Sequence, residues 1–142
     1  MSRENVEIVK SLWPPEVDLV ELTRSPAPPE VVDGLDADLE VIFHSGVPGA
    51  NNPSYQGVTG FVQGWRDWLE PFESYRLKME DVIDAGDDNV LIAARVTART
   101  RRDGVLVEHS PAAICTVRDG QVTQVVFHLD RARAFAAVGL PQ

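Results

Sequence analysis

Residues 90–130 read VLIAARVTARTRRDGVLVEHSPAAICTVRDGQVTQVVFHLD. Three alternating runs are separated there by Asp103-Gly104 and Asp119-Gly120. A tight hairpin whose twist matches its strands needs positive φ in the turn, which Asp tolerates and Gly adopts freely, so Asp-Gly between alternating runs predicts a hairpin. Two-residue turns would set Arg102 opposite Val105, Ala98 opposite His109 and Val96 opposite Pro111. Beyond the second turn, Val117 would face Val122, Pro111 would face His128 and His109 would face Asp130. Side chains alternate between the faces of a sheet. One face then runs from Val90, Ile92 and Ala94 through Cys115 and Val117 to Val122 and Val126, and ends in three titratable groups, His109, His128 and Asp130. The opposite face is more polar, and Arg99 opposite Glu108 suits a cross-strand ion pair. A three-residue loop with a glycine bulge would slip the register by one and send the histidines to different faces, so the constellation depends on the turn type.

Upstream, Val58, Phe61, Val62, Trp65, Trp68, Leu69 and Phe72 fall at helical spacing and predict a long amphipathic helix ending around Pro71. Arg76 to Ile83 alternates as a strand, and residues 84–89 form an acidic turn. Ser2 can cap a first helix that ends near Trp13, because Pro14-Pro15 removes backbone donors. The stretch from Pro14 to Pro29 is a proline-rich excursion with room for one helical turn. Glu30 to Leu39 reads as a second short helix, Leu39 to His44 as a strand and Ser45 to Gln56 as a loop. At the other end Asp130 stands in N-cap position, Arg131 to Val138 forms a short helix and Gly139 stops it. Helices beside an antiparallel sheet make an α+β fold, and residues 1–142 form a single domain.

The chain of 142 residues carries 22 acidic against 13 basic residues, a net charge of −9. That balance argues against nucleic acid as a partner, since such binding draws on clustered Lys and Arg. The basic group Arg99, Arg101 and Arg102 reads as a solvated hairpin tip. Cys115 is the single cysteine, so an internal disulfide is excluded, and its place in an apolar run reads as an inert buried thiol. No apolar stretch approaches the ~20 residues that span a bilayer. The acidic N-terminus does not resemble a secretory signal, and we expect a cytoplasmic protein.

Several segments are familiar in their order: Arg3-Glu4-Asn5-Val6-Glu7-Ile8-Val9, Tyr55-Gln56-Gly57 leading to Trp65-Arg66-Asp67-Trp68-Leu69, Val82-Ile83-Asp84-Ala85-Gly86-Asp87, Val117-Arg118-Asp119-Gly120, and Leu129-Asp130-Arg131 with Gly139-Leu140. Together they resemble the SnoaL-like family of the nuclear-transport-factor-two-like superfamily. The resemblance covers nearly the whole chain except residues 14–29, which look like an insertion. It implies a cone-shaped α+β barrel, a curved antiparallel sheet wrapped around helices, with a deep apolar pocket and a homodimer through the outer sheet face. The superfamily includes polyketide cyclases, ketosteroid isomerases, epoxide hydrolases, dehydratases and binding modules without catalysis, so it does not fix the chemistry.

Proton-transfer members hold an acid or base in an apolar pocket, where desolvation moves its pKa toward the working pH. His109 or His128 could take a proton α to a carbonyl while Asp130 orients the ring, although Asp130 equally reads as the cap of the last helix. The Tyr and Asp of ketosteroid isomerases have no counterpart, since Trp13 ends the first helix and no Asp lies in residues 91–100. The Arg-x-Asp of epoxide hydrolases is absent too; the Asp and His of cyclases alone find counterparts. Ligand-lining candidates are Trp13, His44, Tyr55, Trp65, Trp68, Phe72 and Met79, which equally suit core packing. The residues imply no cofactor and no metal, because His44, His109 and His128 lack metal-ligand spacing. Two readings follow. One is a protein that binds a small, mainly apolar carbonyl or polycyclic compound, with proton transfer or cyclisation; the other is a noncatalytic ligand-binding or dimeric accessory domain with structural histidines.

Overall fold

The computed structural model of the chain describes residues 2–25, 29–44 and 53–141. In chain order the elements are α1 (Ser2–Leu12), β1 (Glu16–Asp18), α2 (Leu19–Leu22), α3 (Pro29–Asp33), β2 (Leu35–His44), β3 (Ser54–Gln56), α4 (Gly57–Leu69), β4 (Phe72–Gly86), β5 (Asn89–Thr100), β6 (Leu106–His109), β7 (Ala112–Arg118), β8 (Gln121–His128) and α5 (Arg131–Ala137). The strands form one sheet in the order β1-β4-β5-β7-β8-β2-β3, with β6 also paired to β5. All neighbours are antiparallel except β2 and β8, which run parallel. Helices α1, α2 and α4 pack on the inner face and α5 on the outer face. This is the α+β arrangement expected, with one parallel pair added.

The two Asp-Gly turns differ from each other. At the first, the Thr100 amide donates to the Val105 carbonyl at 3.0 Å and the Gly104 amide to the Thr100 carbonyl at 3.0 Å, so residues 101–104 form the turn instead of Asp103-Gly104 alone. Val96 therefore faces His109, and Ala98 faces Val107. The slip from the expected register is two residues, which preserves the faces because side chains repeat with period two. The second turn is the expected two-residue one, with φ of 52° at Asp119 and 80° at Gly120 and Val117 facing Val122. A β-bulge follows at once: Thr116 pairs with Gln124 and Ala112 with His128. One extra residue turns the rest of β8 over. Val125 and Phe127 thus enter the inner core, while His128 goes to the other face.

Upstream, the expected helix over Glu30 to Leu39 is shorter, and the strand begins at Leu35. Gly34 explains the stop. A Cβ there would lie 2.5 Å from Leu12 Cδ2, and the Gly34 amide already closes α3 by donating to the Val31 carbonyl at 3.1 Å. The proline-rich excursion supplies β1, an edge strand on β4, and α2, whose N-cap Asp18 accepts from the Val20 amide at 3.0 Å and the Tyr75 amide at 3.1 Å. Of the expected loop from Ser45 to Gln56, Ser54–Gln56 is β3, and residues 45–52 lie outside the described residues, as do residues 26–28 of the excursion.

The inner core centres on Phe43, 1% exposed, whose ring meets Tyr55, Trp65, Trp68 and Phe127 at centroid distances of 5.9, 5.3, 5.6 and 5.7 Å. Outside, α5 lays Ala134 and Phe135 over Leu91, Ala93, Ala112 and Ile114. Asp130 caps α5 as expected, accepting from the Ala132 amide at 3.0 Å. Asp130→Ala is expected to lower unfolding free energy by about 1 kcal/mol, seen as a lower urea midpoint with an unchanged slope. Among the described residues, no helix is long and apolar enough to cross a membrane.

Candidate functional site

Helix α4 turns Phe61, Val62 and Trp65 toward the end of α1, and the chain after α1 is held on the edge of β4, where the Met79 amide donates to the Pro15 carbonyl at 2.8 Å. Between them and α2 and α3 lies a cleft of about 380 Å³, lined by Leu12, Trp13, Leu19, Leu22, Val31, Phe61, Val62 and Trp65, with Lys10, Ser11, Thr23 and Ser25 supplying polar groups. Trp13 stands edge-on to Phe61 at 6.3 Å. Beneath this cleft, against the sheet, is a void of about 40 Å³ lined by Leu77, Met79, Ile92, Pro111, Cys115 and Phe127 among others. Trp13 and Trp65 line both hollows, so the two indoles form the partition between them. Burial pushes the Cys115 thiol up to about 12, which suits the inert role expected.

A polar chain crosses the inner core. The Trp68 indole N–H donates to the Tyr75 hydroxyl oxygen at 3.1 Å, and that oxygen lies 3.1 Å from His109 Nε2. Tyr75 is fully buried. With one lone pair taken by Trp68, the arrangement that satisfies most groups sends the phenolic proton to Nε2, which puts the proton of the neutral imidazole on Nδ1. His109 Nδ1 is buried and has no hydrogen-bond partner among the described residues. Burial lowers the His109 pKa and raises that of Tyr75 far above the ordinary phenol. The result is a neutral ring with a phenol on one nitrogen and a buried, unpartnered N–H on the other, outside the linings of both hollows.

His128 is elsewhere. Its ring stacks on that of His44 at 4.9 Å with a 5° interplanar angle, as the parallel pairing of His44 with His128 requires. Its pKa is lowered chiefly by burial, then by His44 and Arg133, with Asp130 opposing. Asp130 serves α5 and lies 3.6 Å from Arg133 Nε. The expected grouping of His109, His128 and Asp130 on one face is therefore corrected. The bulge after Val117 leaves His109 inside with Tyr75 and puts His128 with the outer-face residues beside α5.

The aromatic candidates also divide. Trp13, Trp65 and Met79 line the hollows, whereas Trp68 and Phe72 pack around Tyr75, Phe72 edge-on at 5.2 Å. Tyr55 donates to Asp67 Oδ2 at 2.8 Å and lies against Phe43, a staple between β3 and α4. Gly64 makes room for it, since a Cβ there would sit 2.8 Å from both Phe43 and Tyr55. The residue that sequence reasoning missed is Tyr75. The alternation Tyr75, Leu77, Met79 carried the signal, one step before the point where the strand was expected to begin.

The sequence profile of the SnoaL-like domain matches residues 29–125. No functionally curated protein matches the chain. Among solved structures, a protein from Jannaschia sp. CCS1 assigned as a SnoaL-like polyketide cyclase superposes with a TM-score of 0.70 at 21% identity, over 99% of this chain and 95% of that one. TerC, co-crystallised with polyporic acid, gives 0.67 at 16% identity over 96% and 98%. A protein of ketosteroid isomerase-like fold from Catenulispora acidiphila DSM 44928, in complex with trimethylamine, gives 0.64 at 16% identity over 95% and 94%. At these identities the likeness concerns the fold. With the profile spanning most of the sheet and α4, the chain belongs to the SnoaL-like domain family.

Proposed function

We propose that this protein binds a small, mainly apolar carbonyl or polycyclic compound in the cleft between α1, α2, α3 and α4. The observation that carries this reading is the cleft itself, about 380 Å³ with a mainly apolar and aromatic wall. Concave apolar hollows with a few polar groups are where small ligands bind. The crystallised complexes of TerC with polyporic acid and of the Catenulispora protein with trimethylamine support small-molecule binding on this fold.

Filling the cleft tests the reading better than emptying it. Val62→Trp, at a half-buried position of the wall, is expected to weaken binding of the uncharged dye N-phenyl-1-naphthylamine by about tenfold or more while the thermal midpoint stays within a few degrees. Equal affinity in the variant would remove the cleft from consideration.

Proton transfer is a second reading, favoured by the unpartnered Nδ1 of His109. The Nδ1 of His128 is equally buried and unpartnered among the described residues, so what distinguishes His109 is its hydrogen bond to Tyr75. In the tautomer that turns Nε2–H to the Tyr75 oxygen, the Nδ1 lone pair takes the proton, while Asp130 caps α5. A homodimer through the outer sheet face belongs to the same proposal. Ile42 and Val126 pair there outside both the inner core and the α5 cluster.

A further inference from the structure

On the other side of α2 lies a second cleft, about 460 Å³, lined by Val20, Thr23, Arg24, Arg66, Leu69, Glu70 and Arg101. Three arginines against one carboxylate is a local excess of positive charge in a chain whose net charge is −9. The three are not equivalent. Arg24 is neutralised by Glu21 at 2.6 Å. Among the described residues, Arg66 and Arg101 pair with no carboxylate; backbone carbonyls hold them instead. Arg66 Nε and Nη2 donate to the Thr23 carbonyl at 3.4 and 3.2 Å, and Arg101 Nη2 to the Phe72 carbonyl at 3.3 Å. A guanidinium has five N–H donors, so both keep most of theirs, with no carboxylate in ion-pair contact among the described residues and with a backbone carbonyl orienting each. Such groups are suited to an oxyanion.

The position of this cleft matters as much as its charge. Thr23, the residue that ends α2, lines both this cleft and the apolar one, and successive faces of α4 serve the two, Phe61, Val62 and Trp65 on one side and Arg66, Leu69 and Glu70 on the other. We infer that the ligand is an organic acid whose oxyanion, a carboxylate or its like, sits between Arg66 and Arg101 while its apolar body enters the neighbouring cleft. This rests on the apolar-cleft reading above and narrows its ligand class. Glu70, on the same cleft, tempers the affinity.

Two dyes that share a ring system separate the parts. 8-Anilinonaphthalene-1-sulfonate carries an oxyanion and N-phenyl-1-naphthylamine does not. The wild-type protein is expected to bind the sulfonate about tenfold more tightly, and more weakly as salt is raised. Arg101→Gln and Arg66→Gln should each remove about tenfold from sulfonate affinity and leave the uncharged dye unchanged. Glu70→Gln should tighten the sulfonate alone by a few-fold, a gain that loss of folding cannot imitate. Equal affinities for the two dyes, or arginine variants that weaken both alike, would overturn the oxyanion site and leave the apolar cleft standing. Failure of both dyes to bind would overturn the cleft reading and this inference together.

Discussion

Phe43→Ala is expected to cost about 3–5 kcal/mol of unfolding free energy, the range for truncating a fully packed aromatic ring. Phe43 is 1% exposed and is the ring that touches Tyr55, Trp65, Trp68 and Phe127 together. Its removal detaches α4 from β2 and β8 at once, and the cavity cannot collapse, because Gly64 already brings the α4 backbone against the ring. A domain of this size has about 5–15 kcal/mol in total, so the variant stands near the folding threshold, with its thermal midpoint lowered by roughly 10 °C or more. Urea unfolding followed by tryptophan fluorescence reads the loss directly. Leu106→Ala is the matched control. It removes an apolar side chain that is 52% exposed and should stay within about 0.5 kcal/mol. A Phe43→Ala loss below about 1 kcal/mol would mean that the five rings are not the centre of the core.

Features governed by local chemistry were legible in the sequence. The apolar stripe from Val58 to Leu69 is α4, Pro14-Pro15 follows the end of α1, Asp130 caps α5, and Asp119-Gly120 makes its two-residue turn. Features decided by tertiary pairing were not. The bulge opposite Val117 inserts a residue with no special composition, since Gln121, Val122, Thr123 and Gln124 alternate as an unbulged strand would. The strands β1 and β3 have three residues each, too few for any periodicity, and exist because β4 and β2 offer edges. For the site the same division holds. Trp13 and Trp65 were recognisable as aromatic candidates, but the contact of Tyr75 with His109 spans 34 positions. Arg24, Arg66 and Arg101 likewise meet only through the packing of α2 on α4 and the return of β5.

His109→Ala is expected to abolish exchange of ketone α-hydrogens, if the second reading holds, by a factor of about 10²–10⁴, the usual worth of a positioned acid–base group. Proton NMR of 2-tetralone in D₂O with the wild-type protein and the variant measures it. His128→Ala is the discriminating partner: its ring is stacked on His44 beside α5, so exchange should continue unchanged. Exchange that survives in His109→Ala would assign the proton to another group, and exchange that fails in the parent would leave the protein a binder and not a catalyst. A second readout reports the same residue without substrate. Burial lowers the His109 pKa in the folded chain, so between that value and the unfolded value of about 6.5 the unfolded state holds more protons. Stability from this source is therefore complete above about pH 6.5 and is lost as pH falls through that window toward the folded pKa. His128 is shifted in the same direction, so His109→Gln should flatten the acid limb of the stability curve in part only. A limb that keeps its full slope in His109→Gln would show that His109 is not held neutral by the core, and a ring protonated at both nitrogens has no lone pair left to take the α-proton.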